Sequence, residues 1–260
     1  MVTQPIAVCA GAAGLPVGSF LTVVIHRVPR QESIVALGPR CPSCSTPIKR
    51  RHNVPVVSWL VLRGRCYECR LPIGARYPLV EVTTALLFVA LTLRFGLSAQ
   101  LPAYLYLGVL GLTLTVIGVD VRRLPDRIIL PSYVVSVLLL LPAGAARLDG
   151  NIALRAIGGM VSLLALFFAL CLAYPSGLGF GEVKLAGLIG LYLGWLSWGA
   201  LFLAAVGSLL VAALGGLITL TASGSSRTVM PLGPCLTVSA VLAVFIAAPI
   251  TTWYGSLLAL

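Results

Sequence analysis

Apolar residues run along this chain in long blocks, broken by short polar stretches. Blocks at 6–25, 77–93, 101–119, 128–146, 153–174, 185–198, 199–221 and 231–255 approach the roughly 20 residues that a helix needs to cross a bilayer core. The apolar positions repeat with a helical period or continuously. No ten-residue segment alternates as a barrel strand does. The pattern predicts an all-α, polytopic membrane bundle of about eight spans. The spans at 185–198 and 199–221 are the hardest to separate, because no charge stands between them. Gly190, Gly194 and Gly199 suit either a tight turn or close helix packing there.

Composition narrows the class further. Hydrophobic residues make up 59% of the chain and charged residues 10%, whereas soluble domains average roughly 45–50% and about 25%. The mean hydropathy is +1.04. A soluble enzyme, a secreted disulfide scaffold, a disordered chain and a coiled coil are excluded. The block at 6–25 lacks a basic stretch before it and runs into His26, Arg27, Pro29 and Arg30, so it reads as a retained span rather than a cleaved leader. The chain reads as free of internal repeats.

Lys and Arg number 18 against 7 acids, a net charge of +11. In a soluble protein such an excess points to nucleic acid. Here its distribution points to orientation instead. With the N-terminus outside, fifteen basic residues from Arg27 to Arg227 fall on inner segments, and Arg94, Arg147 and Arg155 fall outside. Inner loops collect Lys and Arg, so both termini are expected outside and the 26–76 segment in the cytoplasm. The run Lys49-Arg50-Arg51 suits anionic lipid headgroups, and no nucleic-acid partner is expected. The expected organisation is a first span at 1–25, a polar cytoplasmic domain at 26–76 and a helical core at 77–260.

Seven cysteines are present. Cys9, Cys171 and Cys235 stand singly in apolar blocks and read as small buried hydrophobes. The others form Cys41-Pro-Ser-Cys44 and Cys66-Tyr-Glu-Cys69. Two such knuckles can bring four thiolates around one tetrahedral ion, for which Zn²⁺ is suited. Two disulfides are the competing reading, and a reducing cytoplasm disfavours it. A closed four-thiolate site leaves no position for substrate, so the metal is expected to be structural. His52 is an alternative ligand but lies beside three basic residues and reads as solvated.

The acids are few enough to place singly. Glu32, Glu68 and Asp149 read as solvated or paired with nearby Arg, and Glu81 falls early in the second span with an ambiguous role. Asp120 and Asp126 flank Val-Arg-Arg-Leu-Pro at the inner end of the third span. Glu182 stands in Gly177-Leu-Gly-Phe-Gly-Glu-Val-Lys184 at the next inner junction. Two readings stand. Asp120, Asp126 and Glu182 neutralise Arg122, Arg123, Arg127 and Lys184, or two of these carboxyls meet as an acid pair. In such a pair one group stays protonated while the other activates water. The glycines at 177, 179 and 181 do not form a Walker sequence; they suit close approach of an extended chain beside Glu182.

Taken in order, these features resemble the bacterial prepilin peptidases, or type IV leader peptidases. Gly18-Ser-Phe-Leu-Thr-Val-Val-Ile-His-Arg-Val-Pro29 is similar to their first span and its exit. The two cysteine knuckles with Asn53-Val-Pro-Val-Val-Ser-Trp-Leu60 between them resemble their cytoplasmic domain, and Arg76-Tyr-Pro-Leu-Val-Glu81 the entry to their second span. Asp120-Val-Arg-Arg-Leu-Pro-Asp126 resembles the first aspartate motif. Gly179-Phe-Gly-Glu-Val-Lys184 occupies the place of Gly-x-Gly-Asp, and Pro231-Leu-Gly-Pro234 that of a short motif opening the last span.

The resemblance implies a membrane aspartic endopeptidase of the bacterial inner membrane. It removes the basic leader of prepilins and pseudopilins at the cytoplasmic face, and commonly N-methylates the new terminus with S-adenosylmethionine. By motif position it implies Asp120 and Glu182 as the catalytic acids, with Asp126, Gly179, Gly181 and Lys184 supporting. Two positions depart from the family. Thr22 stands where an amide is common, and Glu182 stands where the family has Asp. The extra methylene moves the carboxyl by about 1.5 Å, and an error of about 1 Å can cost on the order of 100-fold in rate. An active Asp–Glu variant, a weakened enzyme and a cleavage-suppressed chain all remain open. From the residues alone, a membrane transporter or assembly factor with a zinc-ribbon docking domain also accounts for the spans and thiols.

Overall fold

The computed structural model describes residues 3–34, 38, 40, 41, 44–49, 52–121, 123–145, 150–174, 178–223 and 232–258. Arg50, Arg51, Arg122, Arg147, Asp149, Gly177, Arg227 and Pro231 lie outside the described residues. The chain forms two compact units, Met1–Leu101 and Pro102–Leu260.

In the first unit, α1 (Thr3–Arg27) is followed by a 3₁₀ turn, Val28–Arg30. The short α2 (Val57–Val61) and the long α3 (Arg76–Phe95) complete it. Gly11, Gly14 and Gly18 recur at helical spacing on α1 and form the face that meets α3. A Cβ on Gly14 would lie 2.8 Å from the Ala85 Cα, and one on Gly18 would lie 2.6 Å from the Glu81 Cα. Small residues let the two backbones touch, which matters in lipid, where apolar burial gives helices no reason to associate.

The second unit holds α4 (Leu101–Val121), α5 (Asp126–Ala145), α6 (Gly150–Ala173), α7 (Phe180–Leu196), α8 (Trp198–Ser223) and α9 (Leu232–Leu258). These long helices coincide with the apolar blocks of the sequence. Among the described residues, α1, α3, α4, α5, α6 and α8 are long and apolar enough to cross a membrane. The protein is an integral membrane protein.

The 17 residues of α7 fall short of that length, and the reason is its place at the centre of the unit. Every residue from Glu182 to Trp195 except Lys184 is buried, so protein rather than lipid surrounds it. Gly190 and Gly194 press against Gly159 of α6; a Cβ on Gly194 would sit 2.6 Å from the Arg155 carbonyl oxygen. These glycines serve close packing rather than a turn. The break before α8 is the single residue Ser197, whose hydroxyl accepts the Ala200 N–H (3.0 Å) as an N-cap. Arg155 donates to the Gly194 and Trp195 carbonyls at 2.7 and 2.8 Å, closing the C-terminus of α7. Tyr104 donates to the Tyr192 carbonyl (3.0 Å), and the Tyr192 and Ser136 hydroxyls bond at 2.9 Å, tying α4, α5 and α7 together.

Cys171 and Cys235 are buried as expected, but Cys9 is exposed. It faces outward from α1, away from the glycine face that meets α3, where apolar surface suits lipid.

Candidate catalytic and metal sites

The four knuckle cysteines come together. Their sulfur atoms all lie within 4.8 Å of one another, and Cys41 Sγ and Cys69 Sγ are 3.9 Å apart. Ligands 2.3 Å from a tetrahedral zinc stand about 3.8 Å from each other, so the spacing fits a metal and is far too long for disulfides. His52 is not in the cluster. Its ring stacks on Tyr67 with centroids 4.4 Å apart.

The two knuckles are copies of one another, which corrects the expectation of a chain without repeats. Arg40-Cys-x-x-Cys-x-x-Pro47 and Arg65-Cys-x-x-Cys-x-x-Pro72 each close with a bridge from the Arg to the Pro. Cys41 N–H donates to Thr46 and Cys66 N–H to Leu71, at 3.0 and 2.9 Å. The residue after each second cysteine, Ser45 or Arg70, takes a positive φ of 56° or 58°. This turn points N–H groups toward sulfur. Hydrogen bonds from the Thr46 hydroxyl and N–H hold the Cys44 thiol down at about 6. Those from the Cys69 and Glu68 N–H groups hold Cys66 below the ordinary thiol range. Thiolates are the metal-binding form, so the turns favour a metal before it arrives.

Between the knuckles, α1, α2 and α3 lies a cavity of about 550 Å³. Glu81 lines it and is only 7% exposed. Its carboxylate accepts the Val56 N–H at 2.7 Å and the Ser19 hydroxyl. Val56 has φ 60° and ψ −50°, and Val57 N–H donates to the Pro55 carbonyl at 2.5 Å. This is the strained, positive-φ form of γ-turn, rare for any residue and more so for a β-branched one.

In the second unit, Glu182 occupies the third position of α7, behind the N-cap Gly179. Its Oε2 accepts the Gly179 N–H (3.3 Å), and its Oε1 the Gly233 N–H (2.7 Å) at the start of α9. It is 9% exposed and meets backbone rather than a cation. Asp126 differs. Both its oxygens lie 2.9 Å from Lys184 Nζ, joining the first turns of α5 and α7.

Asp120, one residue from the end of α4, is exposed. The segment after it turns inward through Leu124. A Cβ on Gly181 would lie 2.9 Å from the Leu124 Cβ, so Gly181 makes room for Leu124 and not for a substrate chain. Gly179 does face open space. Leu124 also borders Gly118 and Gly233, and Gly118 borders Pro234. The segments carrying Asp120, Glu182 and Gly233 thus converge on one apolar side chain. Sequence reasoning missed Leu124 and the Gly233 N–H; the Pro231-Leu-Gly-Pro234 motif was the only signal for the latter.

Comparison with known proteins gives this geometry a context. Residues 12–95 match the family model described as the bacterial peptidase A24 N-terminal domain. The chain is 36% identical to the prepilin leader peptidase/N-methyltransferase of Aeromonas hydrophila, over 92% of this chain and 90% of that protein. It is 34% identical to the protein of that name from Pseudomonas aeruginosa, over 98% and 96%. The chain belongs to the prepilin leader peptidase/N-methyltransferase family. The protein of that name from Legionella pneumophila is 32% identical over 94% of this chain and 92% of that protein. No solved structure matches the chain. In this prepilin leader peptidase/N-methyltransferase chain, the family likeness spans both units, the metal cluster and the acidic segments alike.

Proposed function

We propose that this protein cleaves the leader from prepilins and pseudopilins at the cytoplasmic face of the bacterial inner membrane, and then N-methylates the new terminus. The observation that carries the reading is the convergence of the Asp120, Glu182 and Gly233 segments around Leu124, in a chain alignable end to end with enzymes of that name. The transporter or assembly-factor reading leaves that convergence without a purpose.

Asp120 and Glu182 form the acid pair. One carboxylate takes a proton from water as its oxygen bonds to the scissile carbonyl carbon. The other, protonated, gives its proton to the departing amine as the C–N bond breaks. The Gly233 and Gly179 N–H groups fix the Glu182 carboxylate, and the Lys184–Asp126 pair holds α5 and α7 in register beside it. The open space at Gly179 admits an extended chain.

The 26–76 segment is a cytoplasmic domain whose Cys41, Cys44, Cys66 and Cys69 hold a structural Zn²⁺. The basic excess on the inner segments supports that orientation, with anionic lipid beside it. S-adenosylmethionine supplies the methyl group as an electrophilic sulfonium.

The test is incubation of the detergent-purified protein with a prepilin bearing its leader. The expected product is shortened at the junction of leader and apolar segment, and carries a methylated terminus when S-adenosylmethionine is added. An intact substrate with this chain and with its Glu182→Asp variant overturns the peptidase reading.

A further inference from the structure

The acid pair lies wholly in the second unit, so the methyl donor's place is a separate question. We propose that the cavity of the first unit is the binding site for the adenosyl sulfonium donor, with Glu81 as the counter-charge at its inner end. The proposal rests on the peptidase/N-methyltransferase reading and deepens it.

Three observations fit that ligand. The first is size. Ligand cavities span roughly 300–1,000 Å³, and this one, about 550 Å³, admits a nucleoside carrying an amino-acid arm. The second is its lining. Trp59 and the stacked pair of His52 and Tyr67 border it, offering flat faces to a purine and aromatic electrons to a cation. Arg27, Arg40 and Lys49 border it too, and their charge suits the carboxylate of the donor's amino-acid arm. The third is Glu81 itself. A carboxylate 7% exposed in the first turns of a membrane helix is costly to maintain, and such a residue marks a function.

The γ-turn strengthens the case. Strain of order 1–3 kcal/mol persists only where surrounding structure over-determines it, and such residues cluster at ligand sites. At Val56 the strained turn aims a backbone N–H at Glu81, while Ser19 reaches it from α1. The carboxylate is thereby fixed on the cavity wall from two sides. A sulfonium is a fixed positive charge that makes no hydrogen bonds, so a held carboxylate and aromatic faces are the groups that recognise it.

The charge supplies the test. S-adenosylmethionine carries the sulfonium; S-adenosylhomocysteine is its neutral thioether. Equilibrium binding of both is measured on the full-length protein in detergent. Glu81→Gln is expected to weaken the sulfonium by about tenfold or more, as removal of one partner of a desolvated charge pair does, and to weaken the thioether by less than about threefold. Thr22→Trp, which projects an indole from the α1 wall into the cavity, is expected to abolish both. Photo-crosslinking of radiolabelled S-adenosylmethionine to the unaltered chain is expected to label Trp59 or Tyr67, and needs no variant to fold. Tight binding that neither substitution weakens, or a label confined to residues 102–260, overturns this site and leaves the methyltransferase reading standing. An unaltered protein that binds neither ligand and methylates no mature pilin peptide overturns both.

Discussion

Glu81 in the first unit and Glu182 in the second are the same side chain in nearly the same situation. Each is buried near the start of a helix, and each accepts a backbone N–H from a distant segment at 2.7 Å. The means differ. Gly233 reaches Glu182 at ordinary backbone geometry, because a residue without a side chain lets α9 come close; a Cβ there would lie 3.3 Å from the carboxylate oxygen. Val56 reaches Glu81 only by taking a conformation that valine disfavours. The helix bundle can therefore be shaped by omission of atoms. The metal domain, with its short helix and loops, must hold a strained turn from outside, and the paired knuckles do that.

Four measurements break or sharpen the contrast. Asp120→Asn should lower the initial cleavage rate by about 100- to 10,000-fold, the usual weight of a general acid or base. The variant should still bind its metal, and normal cleavage by it would remove Asp120 from the pair. Next in size, Cys69→Ser should lose zinc by elemental analysis and expose residues 26–76 to limited proteolysis, because a structural metal's binding energy is folding energy. Cleavage should survive that change better than methylation. If both fall together, the two units are not energetically separate. Glu182→Asp should raise cleavage by about tenfold, equivalent to about 1.4 kcal/mol of barrier, by withdrawing the carboxyl from Gly233 toward the family position. A slower enzyme would instead make the Gly233 and Gly179 bonds a native adaptation to glutamate. The smallest effect belongs to Val56→Gly. Glycine keeps the N–H, accepts the positive φ and should stabilise the first unit by about 1 kcal/mol, a rise of a few degrees in its melting temperature.

The spans were legible because each is a long apolar run, and the helices begin and end close to where those runs do. The boundary between α7 and α8 was the exception. It depends on one N-capping serine, Ser197, in a stretch with no charge or proline to mark it. The metal site was legible from four cysteines in two pairs. The repeat that builds it was equally present in the sequence and was overlooked, because only its Arg, Cys, Pro and following Ile recur between unlike neighbours. The partners of Glu81 and Glu182 were not legible. Both are backbone N–H groups, which every residue but proline carries, so no side chain announces them. Gly181 misled for a related reason: a glycine shows that something comes close, and it was Leu124 that did.

The knuckles have one more consequence, for the chain between them. Cys41 and Cys69 are 28 positions apart, and a metal joining them makes that stretch a ring. Val56 lies inside the ring. A free chain relaxes an awkward turn by drifting at both ends; a ring cannot, because its ends are pinned to each other. The bridging ion then works like the clasp on a bent spring. Opened, it lets the turn flatten, and the N–H that reaches Glu81 swings away with it. Metal occupancy and the shape of the cavity wall are in this way a single mechanical variable.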